Sequence, residues 1–224
     1  PVSKSIERVS LPERDVAHEI LGRPVASSYR RRPHEVGLGD VDEQLRHRSV
    51  SGLEDRLKAG QPLAGIHSVA SFFVSRIDTA IDPELERLGA THLQGKAAVA
   101  NAHVAYELYL KERSSSRWNA MAALGAHMQR PLWASTGVKN PAYEDTRYVV
   151  ELVAADCVNT MPQSTLDALM DHGVVRGDSI TSAIAQSHQD LSDIAAAGIS
   201  LADVTSELEV KGVKSFADAW EVLL

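Results

Sequence analysis

After residue 52 the sequence alternates short apolar runs, each ending in hydroxyl-bearing residues, with helix-length amphipathic stretches, and no other feature constrains the fold as tightly. Three runs read as strands, at residues 66–74 (IHSVASFFV), 131–135 (PLWAS) and 157–161 (CVNTM). Residues 96–113 carry Val99, His103, Tyr106 and Leu110 at helical spacing, which predicts a long helix with one buried face. Further helices are expected at 83–88, 117–127, 145–153, 164–172, 179–197, 201–212 and 215–224, with Gly198 and Gly212 as C-caps. Short strands between helices of this length specify βαβ units and a parallel sheet. The fold class is therefore α/β, and the pattern alone fits both a doubly wound sheet and a (β/α) barrel.

Residues 1–52 have another texture. Pro12, Pro24, Pro33, Gly22, Gly37 and Gly39 interrupt them, leaving room only for short helices at 11–21 and 41–47. They read as an irregular or divergent N-terminal region, with a second region over 53–224. Charge follows the same division. The first region carries 9 Lys+Arg against 8 Asp+Glu, and the second 14 against 22. An acidic body argues against nucleic acid as a partner, because phosphate backbones need a basic face. The run Arg30-Arg31-Arg32 reads as solvated loop charge.

No apolar run approaches the roughly 18 residues that cross a bilayer, so no membrane association is expected. The single cysteine, Cys157, fits a reducing compartment, and the expected location is cytoplasmic. Cys157 reads as a small buried hydrophobe and His67 as a hydrogen-bonded core residue. His67, His92, His103, His127, His172 and His188 show no metal spacing, so no metal is expected. Dinucleotide, P-loop and nucleophile-elbow motifs do not follow any strand.

Ligands of parallel α/β folds sit at the carboxyl ends of the strands. Here those ends read Ser71-Phe72-Phe73-Val74-Ser75-Arg76, then Ser135-Thr136-Gly137-Val138-Lys139, then Asn159-Thr160-Met161. Hydroxyls, a glycine and two cations suit an anion such as phosphate, with Arg76 and Lys139 giving charge-assisted bonds. The alternative is that Arg76 pairs with Asp78 or Asp82 and Lys139 faces water. Lys139 also admits a Schiff-base role, but it follows a glycine turn and lies outside an apolar strand, which favours a phosphate contact.

The words IHSVASFFVSRIDTAID, GKAAVANAHVAYELY, QRPLWASTGVKNPAYEDTRYVVELVA, VNTMPQSTLDALMDHGVV and GVKSFADAWEVLL resemble the transaldolases, specifically their actinobacterial-type branch. They run almost continuously from Gly52 to Leu224. The resemblance implies a (β/α)8 TIM-barrel fold, of which this chain matches the last three βα units. It implies transfer of a dihydroxyacetone unit between a ketose phosphate and an aldose phosphate, in the pentose phosphate pathway, through a lysine Schiff base. No cofactor is implied, since the imine is the electron sink. Ser71 and Arg76 would take the phosphate, Phe73 would line the substrate channel, and Ser135 and Lys139 would add to the phosphate site from the seventh strand.

The early V-T-T-N-P-type word, the I-K-I-P-A-T-type word of the Schiff-base lysine and the fifth-strand N-V-T-L-I-F-S-type word have no match. Lys4 and Lys58 are the only lysines ahead of the sixth-strand word. The catalytic residue is thus unknown, with Lys139 as the weaker substitute. A truncated chain, a remodelled relative that needs a partner chain, and a non-catalytic sugar-phosphate-binding module all fit. A three-stranded sheet with open edges also leads us to expect a homo-oligomer.

Overall fold

The structure, a computed structural model, describes residues 39–223, with side chains from residue 49 onward. The helix expected at 11–21, the Arg30–Arg32 run and Lys4 lie outside the described residues.

Three parallel strands form one sheet in the order β1 (Val69–Phe73), β2 (Arg130–Ala134) and β3 (Val158–Asn159). Ser71 pairs with Leu132, which pairs with Val158, so the three strand tips lie level. Strand alternation sends Phe72 and Trp133 to one face, where their rings meet at 5.5 Å and Trp133 is fully buried. The Trp133 indole N–H donates to the Leu152 carbonyl at 3.1 Å, satisfying its one polar atom. Val69, Ser71 and Phe73 point to the other face and are exposed.

The helices are α1 (Gly39–Lys58), α2 (Ser75–Arg87), α3 (Ala97–Arg113), α4 (Ser116–Ala123), α5 (Arg147–Val150), α6 (Gln163–His172), α7 (Ile184–Ala196) and α8 (Leu201–Leu223). α1 runs through Gly52, so the composition change at that residue falls inside a helix. α1 and α4 share a small core of Val50, Leu53, Leu63, Trp118 and Met121. At its edge Arg117 makes a two-pronged ion pair with Glu54, at 2.8 and 2.9 Å.

α3 is not the one-faced helix its spacing predicts. Ala97, Ala98, Ala100, Ala102 and Ala105 are buried together with Val99, Val104 and Tyr106, so protein surrounds most of its circumference. The cause is side-chain size: alanines let α2 and α7 approach where larger residues would hold them off. His103 is enclosed with them. Its Nε2–H donates to the Glu151 carbonyl at 2.9 Å, and its Nδ1 accepts from the Ser187 hydroxyl at 2.8 Å. Burial holds its pKa below the ordinary imidazole value, which fits this neutral tautomer.

Other expectations are corrected. The helical piece expected at 83–88 is the end of α2, which starts at Ser75 and continues through Pro83. The two C-terminal helices are one, because α8 passes through Gly212 and Ser215. An internal glycine costs a helix only about 1 kcal/mol, too little to break one that docks Leu201, Val204 and Leu208 on the core. Gly198, by contrast, does follow the end of α7 with a φ of 101°, as a helix stop requires. His67 precedes β1 and is exposed, with its ring stacked on His127 at 4.2 Å. It lies outside the core because β1 starts only at Val69.

Candidate functional site

The β1–β2 ladder continues past the end of β1. The Val74 N–H donates to the Ala134 carbonyl at 2.9 Å and the Ser75 N–H to the Ser135 carbonyl at 3.1 Å. The Ser75 and Ser135 hydroxyls then meet at 3.0 Å. Ser135 adopts a φ of 55°, a left-handed conformation rare outside glycine. Two contacts across the β1–β2 junction hold it in that conformation. Behind it Thr136 is fully buried, its hydroxyl 2.9 Å from Asn159 Oδ1 and 3.0 Å from the Thr160 carbonyl. Gly137 follows against Pro162, where a Cβ would approach the ring to 3.0 Å. The tips of all three strands are thereby tied side by side.

Arg76 is the second residue of α2, between Ser75, whose N–H donates to the Ser135 carbonyl, and Ile77, whose N–H donates to the Val74 carbonyl. Its guanidinium lies over the Phe73 ring, 4.4 Å from the centroid. It does not pair with Asp78 or Asp82, which are engaged elsewhere. Ser71 is exposed on the open face of β1. Lys139 is exposed beyond the tip of β2 and lines a hollow of about 210 Å³ with Ser75, Asp78, Thr79, Asp82 and Tyr143. The structure thus brings Ser135 onto the β1 tip and Arg76 onto Phe73. The described neighbours of Lys139 differ from those of Arg76.

The hollow contains two carboxylates that the sequence offers only as partners of Arg76. Asp78 and Asp82 stand one turn apart on α2. Asp78 accepts from the Tyr148 hydroxyl and the Ala98 N–H, each at 2.7 Å. Asp82 accepts from the Tyr143 hydroxyl at 2.6 Å and the Gly95 N–H at 2.8 Å. Burial pushes the Asp78 carboxyl up to about 6, while the bonds from Tyr148 and Ala98 hold it down. Burial and the neighbouring carboxylates raise both tyrosine hydroxyls well above their ordinary value. The signal was the D-x-x-x-D spacing, which acquires meaning only when the helix is started at Ser75.

Cys157 is half-buried against the core, and burial pushes its thiol up to about 12, which leaves it unreactive at neutral pH. Among the described residues no three His, Cys, Asp or Glu side chains cluster to hold a metal ion. None of the described helices is long and apolar enough to cross a membrane. No lysine lies within the three strands. Lys58, Lys96, Lys211 and Lys214 pair with carboxylates on or between helices.

The family model described as Transaldolase/Fructose-6-phosphate aldolase matches residues 49–224. "Transaldolase 1" of Streptomyces avermitilis is 54% identical over 178 residues, which are 78% of this chain and 47% of that protein. "Transaldolase 1" of Streptomyces coelicolor is 53% identical over the same shares of each chain. The "Transaldolase" of Mycolicibacterium smegmatis is 52% identical over 213 residues, 92% of this chain and 57% of that protein. The chain spans about half the length of the curated relatives it matches.

Proposed function

The chain belongs to the transaldolase/fructose-6-phosphate aldolase family, and from that premise we propose that its strand tips bind the phosphate of a sugar phosphate. The observation that carries this reading is the junction of β1 and β2, where the strained Ser135 meets Ser75 at 3.0 Å beside the root of Arg76. Arg76, Ser71 and Ser135 supply the donors and Phe73 lines the approach, while Lys139, which shares the adjoining hollow with Asp78, Asp82 and Tyr143, stands apart from them. Held there, the phosphate fixes the distance from the sugar carbonyl to an attacking amine, which turns binding energy into orientation.

The reaction we propose for the whole protein is transfer of a dihydroxyacetone unit through a lysine Schiff base. The amine adds to the ketose carbonyl and water leaves. The C3–C4 bond then breaks, releasing an aldose phosphate and leaving an enamine on the lysine. That enamine attacks an acceptor aldose phosphate, and water hydrolyses the new imine. The barrel of eight βα units that houses this chemistry in the family reading, the division near residue 52 and a cytoplasmic location belong to the same proposal.

A second reading has its own support. The three described strands carry no lysine. On that reading the chain binds the sugar phosphate and takes its nucleophile from a partner chain, or has none. One experiment separates the two: incubation with fructose 6-phosphate, borohydride reduction and intact-mass measurement. A reduced adduct mapped to a single lysine supports transfer. Ligand binding without an adduct supports the second reading.

A further inference from the structure

α8 packs along α2, passing the Arg76 side chain at Gly212 and the Phe73 ring at Phe216. We propose that α8 is the positioning element of the Arg76 site, acting through these two residues. The proposal rests on the reading of Arg76 as a phosphate contact and adds to it the means by which that side chain is aimed.

Three distances carry it. The guanidinium lies 4.4 Å from the Phe73 centroid, and the Phe73 ring in turn meets the Phe216 ring at 6.3 Å with a 57° tilt. A Cβ built at Gly212 would stand 3.8 Å from Arg76 Nη1. The guanidinium is therefore bounded by an aromatic face and by the backbone of α8. Phe216 supports the aromatic face from beyond.

Burial does not explain Phe216, which is 64% exposed and makes its described ring contact with Phe73. Propensity does not explain Gly212 either, since glycine is the poorest non-proline residue for a helix interior. Phe216 is accounted for if the helix props the Phe73–Arg76 pair, and Gly212 brings the α8 backbone alongside the guanidinium, where a larger side chain would crowd it. An arginine confined in this way loses less rotamer freedom when an anion binds, and its planar fork keeps one orientation. Phe216 and Gly212 are positioning residues; neither supplies a donor.

The test compares the wild-type chain with Phe216→Ala, Phe216→Tyr, Gly212→Leu and Arg76→Ala. Fructose 6-phosphate affinity is measured by calorimetry, and the Arg76 Nε–H resonance by NMR without ligand. Phe216→Ala and Gly212→Leu are expected to bind about five- to ten-fold more weakly, a loss set by misaiming a single contact. The melting temperature of Phe216→Ala should match the wild type, since that side chain lies outside the core, and that of Gly212→Leu should not fall, since leucine favours a helix interior over glycine. Both should also move the Arg76 Nε–H signal as the Phe73 ring current changes, while Phe216→Tyr restores affinity and signal. Wild-type affinity in Phe216→Ala and Gly212→Leu, with binding lost in Arg76→Ala, would overturn the positioning role and leave the phosphate reading standing. Failure of Arg76→Ala to weaken binding would instead remove the phosphate reading. In that case an unmoved Arg76 signal in Phe216→Ala would separately overturn the support by α8.

Discussion

Asp78 holds a nearly buried carboxyl group at the wall of the hollow. Burial raises its pKa from the ordinary 3.8 to about 6, so the folded chain holds a proton that the unfolded chain has released. Stability must then fall as pH rises from about 4 to about 6, by about 3 kcal/mol in all. Asp78→Asn is predicted to flatten urea-unfolding stability across that interval, and an unchanged slope would contradict the assignment. Ser135 yields a second comparison. Both Ser135→Ala and Ser135→Gly lose the contact with Ser75, but only glycine relieves the left-handed backbone. The glycine variant should be more stable than the alanine variant by about 1 kcal/mol. At this scale the word SFFVSR was readable because hydroxyls and an arginine follow an apolar run. Asp78 and Asp82 were not, since their partners Tyr148, Tyr143, Ala98 and Gly95 come from remote segments.

The helices were harder to read than the strands, for identifiable reasons. β1 and β2 stand out in the sequence as short apolar runs, VASFF and RPLWA, even though Val69 and Phe73 lie on the exposed face. Pro83 and Gly212 look like punctuation in the sequence, but burial of Ile81 and Leu85 carries α2 past the first, and the second costs α8 only about 1 kcal/mol. α3 was misread because alanine carries too little hydrophobic signal to mark a buried face. Its alanines are nonetheless tightly enclosed, Ala102 being 2% exposed. Ala102→Leu is therefore predicted to destabilise the chain by about 1–3 kcal/mol in chemical unfolding. Wild-type stability in that variant would contradict tight packing around α3.

At the scale of the molecule, the sheet buries one face under helices and leaves the other open. Val69 and Phe73 are 41% and 38% exposed on that open face, and the outer edges of β1 and β3 have no described strand beside them. Unpaired edges beside exposed apolar side chains favour association. We accordingly propose a homo-oligomer, which light scattering would detect as at least twice the monomer mass; a monomer at every concentration would exclude it. The sequence carried the α/β class and the parallel order, because both follow from local alternation. It could not reveal which side chains share a neighbour, as the differing surroundings of Arg76 and Lys139 make plain. The central claim is that the strand tips hold a phosphate through Arg76. It is tested most directly by titrating fructose 6-phosphate into the wild-type chain and into Arg76→Ala in a calorimeter. A charged hydrogen-bond donor predicts affinity lower by about 10- to 100-fold in the variant, with unchanged thermal stability; equal affinities would contradict it.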